Sequence, residues 1–188
     1  MGARAEAAAA TAERILDATV DVFLELPTDQ LSLDEVARRA RVTVQTVIRR
    51  FGGRDGLIAA AADRQFDKVR RERAQAPIGD VSGAVQNLVE HYETYGDGVF
   101  KMLAEEERNP GLREIADRGR VIHREWCARV FAPSLSTLKG LDRTRRLAEF
   151  VAVCDVYVWK LLRRDAGLSR RQTELALVEL LNPLVQGV

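Results

Sequence analysis

The stretch VTVQTVIRRFGGRDG, residues 42–56, decides how the rest of the chain is read. Thr43 is a residue type that caps helix N-termini, because its hydroxyl accepts a hydrogen bond from a backbone N–H left over by the first turn. Val44, Val47, Ile48 and Phe51 recur at i, i+3, i+4 and i+7, the spacing of one helical face. Gly52 and Gly53 then end the helix, since glycine readily takes the left-handed conformation of a C-terminal cap. The polar face carries Gln45, Thr46, Arg49 and Arg50, and Arg54 follows the glycines.

Upstream, Ser32-Leu33-Asp34-Glu35 has the Ser-x-x-Glu form of a capping box, in which each side chain satisfies a backbone donor at the helix start. It opens a helix barely two turns long, burying Leu33, Val36, Ala37 and Ala40. Three residues (Arg41, Val42, Thr43) separate it from the next helix. Two helices this short do not stand alone, and joined by a tight turn they make a helix-turn-helix. A first helix over residues 12–26 precedes them, with Ile15, Thr19, Val22, Phe23 and Leu26 on one face and Pro27 as its stop. Residues 1–11 are alanine-rich and are expected to be frayed.

The net charge of +1 says nothing about partners, but its distribution does. Residues 36–54 hold six arginines and no acid, whereas residues 13–35 hold seven acids and one arginine. A confined basic patch in a neutral chain fits contact with a polyanion, although a solvated helix face has the same composition. The chemistry of the second short helix fits a DNA major groove. Gln45 suits adenine, Arg49 or Arg50 suits guanine in bidentate fashion, and Val44 or Thr46 suits a thymine methyl. Arg54, beside a helix N-terminus, suits a phosphate, and so do Ser32 and Thr43 through their hydroxyls or the amides they cap.

The remaining sequence reads as helix throughout. The spacing predicts helices over about 54–75, 80–95, 98–107, 109–130, 141–166 and 170–182, separated by Pro77, Gly96-Asp97, Asn109-Pro110, Pro133 and Gly167. Ser169-Arg170-Arg171-Gln172 is a second capping box. The expected fold is all-α with about nine helices: a frayed terminus (1–11), a helix-turn-helix domain (12–53), and a C-terminal helical domain (54–188) whose first helix, 54–75, is a connector. The chain is 46% hydrophobic, enough to bury a core in a single 188-residue unit.

Several classes find no support. Cys127 and Cys154 are the only cysteines, so free buried thiols in a reducing compartment, the cytoplasm, are expected. No signal peptide is visible, and the most apolar stretch, Phe150–Leu162, is short for a membrane span and contains Asp155 and Lys160. His123 and Cys127 sit four residues apart, but no further ligand has matching spacing, so no metal is expected. FGGRDG lacks the spacing and lysine of a phosphate loop, and no Ser/His/Asp or Cys/His arrangement appears. Neither an enzyme nor a cofactor is expected.

Residues 15–61, ILDATVDVFLELPTDQLSLDEVARRARVTVQTVIRRFGGRDGLIAAA, resemble the N-terminal DNA-binding segment of TetR-type (tetracycline-repressor-like) transcriptional regulators. That pattern has a first helix ending in Phe, a Ser/Thr-led short helix with Ile/Val-Ala, then Ala-Gly-Val-Ser. A Thr-Leu-Tyr-x-x-Phe recognition helix and a small-residue turn with Lys and an acid follow. Here Arg41 stands where Gly is usual, Ile48 where Tyr is usual, Arg50 and Arg54 where His and Lys are common, and Val44 where a basic residue is frequent. The departures imply an unusual operator preference.

The resemblance implies a homodimeric regulator, a ligand-released repressor on a palindromic double-stranded DNA operator. Dimers hold two recognition helices about 34 Å apart. Between Phe150 and Leu162, eleven of thirteen residues are apolar, so this helix needs cover on several sides. By resemblance the last two long helices pair across a two-fold axis, with Val153, Val156, Lys160, Leu177, Leu181 and Leu184 at the interface. By resemblance the middle helices enclose an effector cavity, although residues of the same kind also simply fill a core. Tyr92, Tyr95, Phe100, Met102, His123, Trp126, Cys127 and Tyr157 are the cavity's expected lining, suited to a small apolar or aromatic molecule. Asp155, inside an apolar run, is a candidate counter-ion for a cationic ligand or a partner for an arginine. The competing reading is a helical small-molecule-binding or scaffold protein with a non-functional helix-turn-helix, which Arg41 and Ile48 favour.

Overall fold

Alanine favours helix without tertiary help, and α1 starts accordingly at Gly2. In the computed structural model, which describes residues 2–27 and 30–186, α1 spans Gly2–Glu25 and so takes in residues 2–11, where fraying is expected from sequence. The further helices are α2 (Leu33–Ala40), α3 (Val44–Phe51), α4 (Arg54–Ala74), α5 (Val81–Glu105), α6 (Pro110–Val130), α7 (Ala132–Ser136), α8 (Gly140–Val153), α9 (Val156–Lys160) and α10 (Arg170–Gln186). A π turn, Leu161–Asp165, follows α9. Counting α8 and α9 as one interrupted helix gives nine among the described residues. None is long and apolar enough to cross a membrane.

The chain forms two compact units. The first runs to Asp67 and also takes in Lys101–Arg113, so it reaches beyond the predicted boundary at residue 53. Its core holds Ile15, Leu16, Val22, Leu31, Val36 and Val47, with Leu57 and Ala61 from α4. Lys101 holds the end of α1: its ammonium donates to the carbonyls of Phe23 and Leu26, acceptors that a helix C-terminus leaves over.

The second unit comprises Lys68–Phe100 and Glu114–Val188. Phe131 and Phe150 stack at 4.1 Å in its interior. Here the expected helices change in two places. Gly96-Asp97 does not break the chain; α5 runs through it. A Cβ on Gly96 would lie 2.5 Å from the Trp159 ring, so the glycine makes room for that fully buried indole. Conversely, the helix predicted over 141–166 is interrupted. Asp155 is extended (ψ 152°), and its carboxylate accepts from the N–H of Tyr157 at 2.9 Å, capping α9. The expected counter-ion is thus used locally as a cap.

Candidate functional site

Helix α2 starts at Ser32, whose Oγ accepts from the Glu35 N–H at 3.2 Å. The reciprocal half of the expected capping box is missing, because two arginines take the Glu35 carboxylate. Arg38 and Arg39 donate to it at 2.6 and 2.7 Å, and Arg39 also reaches Glu25 at 2.6 Å. Hydrogen bonds from Arg38 and Arg39 pull the Glu35 carboxyl down to about 2. Two of the six arginines of the basic stretch are therefore already paired. The box at Ser169 is complete: Gln172 N–H donates to Ser169 Oγ at 3.3 Å, and Ser169 N–H donates to Gln172 Oε1 at 3.0 Å.

The turn after α2 is left-handed at Arg41 (φ 54°, ψ 49°), and its N–H caps the carbonyls of Ala37 and Arg38. Among the described residues it is the only non-glycine with positive φ. A side chain there costs about 1 kcal/mol relative to glycine. The exposed arginine is thus held in a strained position at the rim of the next helix.

Helix α3 is capped by Thr43, whose Oγ1 accepts from Thr46 N–H at 3.2 Å and lies 2.9 Å from the Thr46 hydroxyl. Val47 is fully buried beneath it. Gln45, Ile48, Arg49 and Arg50 are exposed, and Val44 and Thr46 half-buried. Ile48, expected on the apolar face, is turned outward instead, at 40% exposure. Gly52 ends the helix at φ 78°, its N–H on the Ile48 carbonyl at 2.8 Å. Arg49 and Arg50 have no acidic partner among the described residues. Arg54 is half-buried, its Nε donating to the Leu31 carbonyl at 2.9 Å, so part of its hydrogen-bonding capacity positions the loop before α2.

In the second unit a polar cluster sits inside an aromatic shell. His123 Nδ1 faces Arg73 Nη2 at 3.4 Å. Arginine only donates, so Nδ1 accepts and Nε2 carries the proton, which is donated to the Val151 carbonyl at 3.1 Å. Cys127 Sγ lies 3.8 Å from the same Nε2. Hydrogen bonds to Cys154 and His123 draw the Cys127 thiol down to about 5, and its neighbour Cys154 is pushed up. Trp126 is buried, donating its indole N–H to the Arg73 carbonyl at 3.1 Å. Tyr92 is buried, with its hydroxyl on the Cys154 carbonyl at 2.9 Å. Tyr95 packs on His91 at 5.1 Å.

Three expected lining residues fall elsewhere. Met102 belongs to the first unit. Tyr157 is 54% exposed, with its ring edge-on to half-buried Phe100 at 5.1 Å. Sequence reasoning missed Arg73 and passed over His91. Arg73 hides in a run of arginines, but steps of four from Leu57 through Ala61, Gln65 and Val69 land on it. No group of three or more His, Cys, Asp or Glu among the described residues is arranged to hold a metal.

The expected interface residues also divide. Val156, Leu177 and Leu181 are buried within the single chain. Lys160 pairs with Asp165 at 2.8 Å, and Val153 and Leu184 are half-buried. The large apolar side chains left exposed on the same segments include Leu161 (59%), Leu175 (58%) and Leu180 (48%). Helical periodicity marks an apolar stripe but does not say which edge meets the chain's own core.

The comparisons agree with this geometry. The family model described as bacterial regulatory proteins, tetR family, matches residues 15–61, which contain α2, α3 and the turn between them. The HTH-type transcriptional regulator YdeS of Bacillus subtilis is 25% identical over 139 residues, 70% of this chain and 62% of its own length. The chain thus spans under two thirds of that relative. A transcriptional regulator from Rhodococcus sp. Rha1 shares the fold with a TM-score of 0.73 at 22% identity, covering 94% of this chain and 96% of that one. The multidrug binding protein EbrR, complexed with imidazole, shares it with a TM-score of 0.57 at 24% identity, covering 89% and 88%. Through residues 15–61, with α3 presented outward from its capped turn, this chain is similar to the TetR family of bacterial regulatory proteins.

Proposed function

We propose that the chain is a DNA-binding transcriptional regulator, a homodimer that lays α3 of each copy into the major groove of a palindromic operator and is released by a small molecule bound in the second unit. The observation that carries the DNA reading is the outer face of α3. Gln45, Arg49 and Arg50 are exposed there, and neither arginine has an acidic partner among the described residues. These are groups that read base edges. Ile48, exposed between them, suits the methyl of thymine, an apolar contact in place of the usual tyrosine hydroxyl. Thr43 caps α3 beside that face, and Arg41 keeps its charge at the turn.

Homodimerisation is supported by Leu161, Leu175 and Leu180, apolar side chains that a single copy leaves in water. The effector reading is supported by the aromatic shell around Arg73 and His123. A multidrug-binding protein also shares this fold. An effector that prefers the dimer unable to span both half-sites shifts the population off DNA by its differential affinity.

The test is a salt titration of binding to duplex fragments selected from genomic DNA. Each phosphate neutralised by an arginine contributes about −0.9 to the slope of log affinity on log salt. A steep slope that flattens in the Arg49→Ala/Arg50→Ala protein, with its folding intact, is expected. An unchanged affinity in that variant shifts the function to a helical ligand-binding protein with an unused helix-turn-helix.

A further inference from the structure

Among the described residues, Arg73 is a buried cation without a counter-ion. The residue is 4% exposed, and its guanidinium lies over the Trp126 ring at 4.3 Å. One nitrogen meets His123 Nδ1, and Nε has no hydrogen-bond partner. Three acids on its own and neighbouring helices are engaged elsewhere. Glu93 pairs with Arg163 at 2.9 Å, Asp155 caps α9, and Glu72 faces Lys68 at 3.9 Å. Arginine does not shed its proton in proteins, so the charge stays, and a charge out of water requires a partner. A second buried nitrogen, His91 Nδ1, is also unpartnered. Burial, together with the charge of nearby Arg73, holds its ring neutral.

We propose that Arg73 is the anchor for a small apolar monocarboxylate, with His91 Nδ1 as a second hydrogen-bond donor. One fixed cation balances one negative charge, which favours a monoanion over phosphate. A guanidinium edge matches the two oxygens of a carboxylate, and the surrounding Tyr92, Tyr95 and Trp126 suit an apolar or aromatic body. The proposal rests on the second unit being the effector-binding part. The Cys127 thiol is the internal rival for the anion's place. Its hydrogen-bonding contact is with His123 Nε2 at 3.8 Å, while Arg73 acts on it only through the field of its charge.

The full-length protein is titrated without DNA, by calorimetry and thermal unfolding, with benzoate, phenylacetate and hexanoate at millimolar concentration. Benzamide, benzylamine and inorganic phosphate serve as controls. At least one carboxylate is expected to raise the melting temperature by several degrees, and the controls are not. Arg73→Gln, which removes the buried charge, is expected to keep its own stability and lose at least tenfold in carboxylate affinity. Should that variant not fold, Arg73→Lys, which keeps the charge but not the fork, shows the same loss. Cys127→Ser is expected to bind as the native chain does. The proposal fails if no carboxylate binds, if benzamide or benzylamine acts equally, or if the Arg73 variant responds in full. It fails too if Cys127→Ser alone is unstable at neutral pH while carboxylates do nothing, which makes the thiolate the partner. Benzoate bound without any change in DNA affinity leaves this inference standing and removes ligand release; DNA binding with no carboxylate response does the reverse.

Discussion

At Gly96 a missing Cβ carries a large consequence. An alanine there gains helix propensity of about 1 kcal/mol but meets the Trp159 ring at 2.5 Å. Overpacking of this kind costs about 1–3 kcal/mol, so Gly96→Ala is expected to be destabilising in urea unfolding. Arg41 is the opposite case. Its left-handed backbone is strained, and Arg41→Gly is expected to raise stability by about 1 kcal/mol while weakening DNA binding. Sequence shows both residues but not their meaning. Gly96 reads as a helix break because a glycine that ends a helix and one that admits a neighbouring ring are the same letter; only the distant Trp159 tells them apart. Arg41 is legible as a departure at a turn whose neighbours fix its conformation locally. Arg73 stays hidden because a buried arginine contradicts the usual preference of its side chain, and only its register on α4 points inward.

Elements fixed by local chemistry are the ones sequence reveals best. Helices α2 and α3 carry their caps within three residues, so their bounds follow from Ser32, Thr43 and Gly52. The face of α3 was legible except at Ile48, which apolar spacing alone sends inward. If Ile48 meets thymine methyls, replacing operator thymines with uracil is expected to weaken the native protein severalfold and Ile48→Ala hardly at all, measured by gel shift. Helix α2 shows how charge counting misleads. The stretch 36–54 has no acid, yet Glu35 and Glu25 reach into it from outside. Glu35 titrates near 2 in the folded chain against an ordinary value of 4.5. A depressed carboxyl stabilises the fold fully above its unfolded value, and that contribution is lost as pH falls from about 4.5 toward 2. The melting temperature of Glu35→Gln is therefore expected to fall less than that of the native chain across this window.

For the molecule as a whole, the surface open to the proposed association differs from the stripe that periodicity selects. Leu177 and Leu181 lie in the stripe the periodicity selects, but a single copy buries them. Leu175→Asp/Leu180→Asp is expected to give a folded monomer with weak DNA binding in sedimentation and gel-shift experiments. Leu177→Asp is expected to unfold the chain, because a carboxylate would enter its core. The placement of the indoles has a practical outcome for such experiments. The chain has two tryptophans, Trp126 and Trp159, and both are buried in the second unit. Intrinsic fluorescence is therefore a built-in reporter of the second unit alone, silent about the half that would touch DNA. Followed beside circular dichroism during a melt, it reveals whether the two halves come apart together, without a label.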